Sequence, residues 1–275
     1  MSESERDKFT SAVEDAITKD RLVIAGITSN TQATFESEGV PYGAGKSTLA
    51  QWLSFKWNHY DAETGRYYDM ALDVNDMANW QIVRDRMYYY PSKLLRGLKG
   101  AATGDDGKKD PYRINAAIWD DVQWSAGARA GLPVALEELK SDLTVDRPEI
   151  ALLILTMPNV ADIASVMRGL VQFELIVYAR GYFEIQKTTY RKNFRNPKKD
   201  LITLDFVSGQ DPLDRNEPDF YDLPQGQRTW YVDWRATEKS YKRERTIHAL
   251  ERFERTIQAP LPTGEKGGKG WRGQT

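Results

Sequence analysis

The run Gly43-Ala44-Gly45-Lys46-Ser47-Thr48 places small residues directly before a lysine and two hydroxyls. Small residues let successive backbone N–H groups turn inward on an anion, and a helix opening behind them adds positive potential at its N-terminus. That is the chemistry of a triphosphate cradle, so Gly43, Ala44, Gly45, Lys46, Ser47 and Thr48 are expected to bind ATP. Lys46 would reach the β and γ phosphates, and Ser47 would give its hydroxyl to Mg²⁺. The common pattern carries a glycine where Val40 stands, with Gly39 adjacent. The competing reading is a glycine-rich turn that caps a helix.

A magnesium site of this kind needs a carboxylate at the end of a neighbouring apolar strand, and Ala116-Ala117-Ile118-Trp119-Asp120-Asp121 supplies one. Asp120 is assigned to the metal through water, because Mg²⁺ keeps much of its hydration shell. Asp121 stands where many triphosphate hydrolases carry Glu to orient the attacking water, one methylene shorter; it could instead cap the next helix. Thr156 ends the apolar run 151–155, where its hydroxyl would sit between the metal carboxylate and the γ phosphate. Arg168 follows the next short helix. It would either stabilise the transferring phosphoryl group of a neighbouring subunit or be solvated at the surface.

Residues 187–199 contain no acid and mix cations with Tyr190 and Phe194. Cations neutralise phosphates and aromatic faces stack on bases, so Arg191, Lys192, Arg195, Lys198 and Lys199 are the candidate DNA or RNA contacts. The alternative is a hairpin tip charged for solubility. Arg235, Lys239, Lys242, Arg243, Arg245, Arg252 and Arg255 crowd the last helical pattern, which either senses nucleotide or packs its Tyr, Trp, Leu and Phe on a sheet; the packing reading is preferred.

The elements that must hold these residues follow from hydropathy. Near-continuous apolar runs at 21–27, 114–119, 150–157 and 173–179 read as strands of a parallel sheet covered on both faces by helices. Leu49, Trp52, Leu53 and Trp57 recur at helical spacing behind the glycine loop. The polar stretch from Thr28 to Gly39 is either an insertion or contains the strand end at 34–37. Residues 69–74 form a strand candidate. A helix capped by Asn75 or Asp76 would carry Met77, Trp80, Val83 and Met87, and Pro91-Ser92 would end it and start another. Residues 97–111, rich in Gly, Asp and Lys, read as a surface loop. A helix is expected at 132–143, and another capped by Asn159 ahead of Ile163, Met167 and Leu170. From Tyr182 the pattern alternates, as in a hairpin at 182–190 and 201–207. The organisation is an N-terminal helix or arm at 1–20, a nucleotide-binding core at 21–181, a basic β-hairpin at 182–210, a linker and C-terminal helix at 211–262, and a disordered tail at 263–275.

Composition sets outer limits. The 275-residue chain lacks cysteine, which excludes disulfides and thiolate metal sites, and its two histidines cannot build a zinc site alone. A formal net charge of −2 gives no global attraction to nucleic acid, so such binding must be local. The polar, acidic start is unlike a secretory signal, and the longest apolar run is too short to span a bilayer, so a cytoplasmic protein is expected.

The order of glycine loop, strand ending Asp120-Asp121, strand end at Thr156, helix with Arg168 and a further strand resembles the additional-strand class of P-loop ATPases, in particular AAA+ replication-initiator relatives. More narrowly it is similar to ATPases of archaeal viruses and plasmids, through Ile118-Trp119-Asp120-Asp121, Leu155-Thr156-Met157-Pro158-Asn159, and Leu223-Pro224 before a Tyr/Arg-rich helix. The resemblance implies ATP hydrolysis coupled to DNA or protein remodelling, often in a homo-oligomeric ring with Arg168 acting in trans. Val40 and Asp121 depart from its motifs. Two other classes stay open: a small-molecule kinase with 97–113 as its lid, and a nucleotide-gated assembly module with little turnover.

Overall fold

The structure is a computed structural model that describes residues 7–29, 45–65, 73–104, 112–123, 141, 143, 149–160, 163, 165–179, 182–190, 201–207 and 223–240. The chain divides into two compact units, Met1–Arg228 and Thr229–Thr275.

The first unit is an α/β fold on one seven-stranded sheet. In chain order its elements are α1 (Asp7–Thr18), β1 (Val23–Ser29), α2 (Lys46–Asn58), α3 (Gln81–Asp85), β2 (Met87–Tyr88) and α4 (Pro91–Thr103). After these come β3 (Ile114–Trp119), β4 (Ile150–Thr156), α5 (Ser165–Arg168), β5 (Phe173–Ala179), β6 (Tyr182–Tyr190) and β7 (Leu201–Val207). The strand order is β2-β3-β4-β1-β5-β6-β7. From β2 to β5 every pairing is parallel; β6 and β7 join antiparallel and extend the same sheet.

The strands β1 and β4 are buried along their whole length, which is why they read as unbroken apolar runs. Registered partners share a face, and successive residues alternate between faces. Ile24, Leu153, Leu155, Ala117 and Trp119 meet Leu94 and Leu98 of α4 in one core, together with Met167 of α5. Gly26 lies on that face, where an added Cβ would stand 3.3 Å from Met157 Cε. Helix α2 packs on β1, β3 and β4. Its outer side is covered too: Trp80 meets Phe55 and Trp52 with ring centroids 4.4 and 5.0 Å apart. Every residue from Leu49 to Trp57 is therefore buried, beyond the single apolar face that the spacing predicts.

Arg113 ties α1 to the sheet. Its guanidinium donates to the carbonyls of Ala16 (2.6 Å), Ile17 (3.1 Å) and Arg21, at the C-terminal end of α1, where backbone acceptors lack helical partners. Burial lowers the Arg113 pKa, and Asp20 and Glu149 oppose that shift. Arg113→Ala should lower unfolding free energy by about 0.5–1.5 kcal/mol, since it removes the hydrogen bonds that tie the end of α1 to β3. Urea denaturation with an unchanged midpoint would contradict this.

Several expectations about elements change. Residues 73 and 74 are not in a strand, and 69–72 lie outside the described residues. The helix foreseen from Met77 to Met87 is confined to Gln81–Asp85, and Met87 enters β2 instead, pairing with Ile118. The supposed loop from 97 begins as helix: α4 runs to Thr103 and buries Leu94, Leu98 and Ala101 at helical spacing, with residues 105–111 outside the described set. The helix behind β4 is Ser165–Arg168, shorter than the pattern from Asn159 predicts. Most of the helix foreseen at 132–143 lies outside the described residues, as do the connection 191–200, the linker through 222 and everything after 240.

In the second unit, residues 229–240 are helical. Trp230 stacks on Trp234 with ring centroids 5.8 Å apart, and the Arg235 guanidinium lies 6.0 Å from the Tyr231 ring. No helix among the described residues is long and apolar enough to cross a membrane.

Candidate functional site

Parallel strands bring their carboxyl ends to one edge, so whatever follows β1, β3 and β4 converges there. Strand β1 runs to Ser29, two residues beyond the apolar run, and Ser29 is buried. Helix α2 starts at Lys46 behind Gly45, whose φ of 94° is left-handed and favours glycine. Lys46 Nζ donates to Ser29 Oγ at 3.2 Å, which brings the lysine back over the end of β1.

Asp120 and Asp121 follow β3. Asp120 is fully buried, and its Oδ1 accepts hydrogen bonds from Ser47 Oγ at 2.9 Å and from Thr156 Oγ1 at 2.6 Å. The Thr156 hydroxyl is itself an acceptor for the Asp121 backbone N–H at 2.9 Å. One threonine thus positions both acidic residues. Asp121 has φ 51°, a left-handed conformation that Asp tolerates better than most side chains, and its own side chain is nearly buried. The ladder continues on either side: Asp120 N–H donates to Tyr88 O at 2.8 Å and Val122 N–H to Thr156 O at 3.0 Å.

Residues remote in sequence therefore meet here: Ser29, Lys46, Ser47, Asp120, Asp121 and Thr156. The Ser47 hydroxyl spends its proton on Asp120 and keeps its lone pairs for a cation. The buried carboxylate would accept from water around that cation. Oxygen donors of this type suit a hard divalent ion that retains several waters, a site that does not require a cluster of carboxylates. Among the described residues no group of three or more His, Asp or Glu side chains could hold a metal by itself.

Arg168 is half-buried, and its Nη2 donates to Ile163 O at 3.0 Å, so it is anchored within its own segment. Gly43 and Ala44, the alternative strand end at 34–37, and Arg191, Lys192, Arg195, Lys198 and Lys199 lie outside the described residues. Thr48 occupies the first turn of α2.

Two features escape the sequence reading. Ser29 follows the apolar run, and only the strand's extension reveals its place beside Lys46. The other is a buried polar relay. Gln51 Nε2 donates to Ser47 O at 3.1 Å, Gln227 Nε2 to Gln51 Oε1 at 2.7 Å, and Arg84 Nε to Gln227 Oε1 at 2.9 Å. Both glutamines are fully buried, and each amide oxygen and nitrogen in the relay has a partner, as low-dielectric surroundings demand. A glutamine more than a hundred residues away carries no sequence signal for such a pairing.

Compared with protein-family models, curated proteins and solved structures, the chain matches none.

Proposed function

We propose that this chain is a Mg²⁺-dependent ATP-binding protein of the additional-strand P-loop type, and an ATPase acting on nucleic acid. The observation that carries the reading is the meeting of Ser47, Asp120 and Thr156 on one carboxylate oxygen at the head of α2. The strand order supports it as well, because β4, bearing Thr156, lies between β1 and β3. That is the position of the additional strand in this class.

In this reading Lys46 and the backbone of Gly43 to Thr48 would bind the triphosphate, and Ser47 and Asp120 would hold a hydrated Mg²⁺, which would supply charge neutralisation on the phosphates. Asp121 orients the attacking water. Thr156, donating to Asp120 and accepting from Asp121, keeps the two carboxylates in register. Arg168 in trans would require a ring of copies of this chain. The nucleic-acid part rests on the basic run 191–199, which connects β6 to β7. The small-molecule kinase reading loses part of its lid, since residues 97–103 belong to α4 and bury Leu98 and Ala101.

The test is the rate of phosphate release from Mg·ATP with and without single- and double-stranded DNA. Stimulation is expected, and joint neutralisation of Lys192, Arg195, Lys198 and Lys199 should remove it. The log–log salt slope of DNA binding should fall by about 0.7–0.9 for every phosphate that no longer meets a cation. An unaltered slope in that variant rejects the nucleic-acid part and leaves ATP binding standing.

A further inference from the structure

Strand β3 carries Asp120 beyond its carboxyl end; its other end, at Ile114, lines a cavity. This cavity, of about 950 Å³, lies beside β2, between residues 78–88 and α4, and is lined in part by Arg86, Tyr88, Tyr112, Lys93, Arg96 and Asp85. None of these residues belongs to the site around Ser47. Its volume falls within the roughly 300–1,000 Å³ typical of small-molecule sites.

Arg86 is its anchor. The guanidinium Nη1 donates to Asn58 Oδ1, and that amide is itself pinned to the sheet: Nδ2 donates to Ala116 O at 3.0 Å and Oδ1 accepts from Ala116 N–H at 3.1 Å. The partner is neutral. Among the described residues no carboxylate lies within ion-pair distance of Arg86. Burial lowers the Arg86 pKa, and the nearby Tyr112, Tyr88 and Asp85 oppose that only in part. A guanidinium removed from water without a counter-charge is costly, and an oxyanion gripped by its fork removes the cost.

The rest of the lining agrees with such an occupant. Among the described residues that line it, three cations accompany one carboxylate, Asp85, which accepts from Gln81 Nε2 at 2.7 Å. Lys93 rests 5.9 Å over the Tyr90 ring, and Arg96 is exposed at the rim. That balance among the described residues suits a dianionic phosphate better than a carboxylate. The phenol rings of Tyr88 and Tyr112 offer flat surfaces, and Ile82 and Ile114 add apolar wall. The side chain of Tyr88 reaches α4 at Gly97, where a Cβ would collide with its hydroxyl. A nucleic-acid strand would need an open cationic track, whereas the anchor here is one half-buried guanidinium inside a cavity.

We propose that this cavity binds a small aromatic phosphate monoester, of the nucleoside-monophosphate class, with Arg86 gripping the phosphate, Arg96 and Lys93 at the rim, and Tyr88 and Tyr112 against the ring. The site is independent of the proposed triphosphate site.

The experiment is calorimetry on the full chain carrying Lys46→Ala, which suppresses the glycine loop, titrated with AMP, phenyl phosphate, benzoate and a short single-stranded oligonucleotide. Saturable one-to-one binding of AMP and phenyl phosphate is expected. Arg86→Gln should weaken it by about 30-fold or more, because it removes one member of a buried charge pair. Arg86→Lys should weaken it less, and Arg96→Ala by a few-fold, with circular dichroism unchanged. Should Arg86→Gln fail to fold, the Arg86→Lys and Arg96→Ala variants carry the test. No saturable heat from AMP and phenyl phosphate, equal affinity for benzoate, binding of the oligonucleotide alone, or binding indifferent to changes at Arg86 and Arg96 would each overturn the proposal.

Discussion

Replacing Lys46 with alanine is expected to weaken Mg·ATP binding by about 10²-fold or more and to bring phosphate release down to background, the scale of losing one preorganised charge on the phosphates. The fold should be unaffected. Lys46 is the first residue of α2, is only half-buried, and its ammonium meets Ser29 Oγ at the rim of the sheet. Its removal opens no cavity among core side chains, so the unfolding free energy should change by no more than about 0.5 kcal/mol. Calorimetry with ATP and Mg²⁺ checks the affinity, and chemical denaturation checks the fold. Lys46→Arg should not rescue binding, because a planar guanidinium does not reproduce a compact ammonium in a tight cradle. Wild-type affinity in Lys46→Ala would remove the basis for the triphosphate reading, without touching the proposed cavity at Arg86.

The second large effect is expected at Asp120. Asp120→Ala removes the oxygen on which Ser47 and Thr156 converge and leaves the half-buried Ser47 hydroxyl and the buried Thr156 hydroxyl without that acceptor. Turnover should fall by about 10²–10³-fold, and the advantage that Mg²⁺ gives to ATP binding should disappear. A stability loss of about 1–3 kcal/mol is expected as well, from the stranded donors. Thr156→Val separates the two consequences. It keeps the volume of the side chain but deletes both the donor to Asp120 and the acceptor for the Asp121 N–H. Asp120 would still be present, so Mg²⁺-dependent ATP binding should survive, while phosphate release drops as Asp121 loses its register. Titrating Mg²⁺ at fixed ATP, beside single-turnover phosphate release, reads the two quantities apart. If Thr156→Val hydrolyses ATP at the wild-type rate, the threonine has no positioning role.

Some of this is local chemistry and is legible along the chain. The strands at 114–119 and 150–156 declare themselves because a strand buried on both faces must be apolar nearly throughout, and the one at 173–179 through its run of Leu, Ile, Val and Tyr. The hairpin strands at 182–190 and 201–207 follow from their change to alternation. Gly45, Lys46 and Ser47 mark a loop-to-helix junction because a left-handed residue before a helix favours glycine.

Other parts are not legible, for stateable reasons. Strand β2 is two residues long, too short for any period, and exists because Ile118 and Trp119 offer an edge to Met87 and Tyr88. Glycines at 97 and 100 read as loop by propensity, yet burial of Leu94, Leu98 and Ala101 outweighs the helix cost of about 1 kcal/mol per glycine. The apolar spacing of α2 predicts one buried face. Covering the other takes Trp80 and Gln227, which arrive from distant segments.

By itself the sequence determined which residues were able to do chemistry and which runs had to be strands, since side-chain type and hydropathic period are properties of neighbours along the chain. Only the tertiary structure decided that Ser47, Asp120 and Thr156 share one oxygen, that Ser29 stands beside Lys46, and that Arg86 faces a cavity with no carboxylate partner among the described residues. Strand order and crossover make those meetings. They join residues 17 to 73 positions apart, whose separation along the chain carries no trace of the contact.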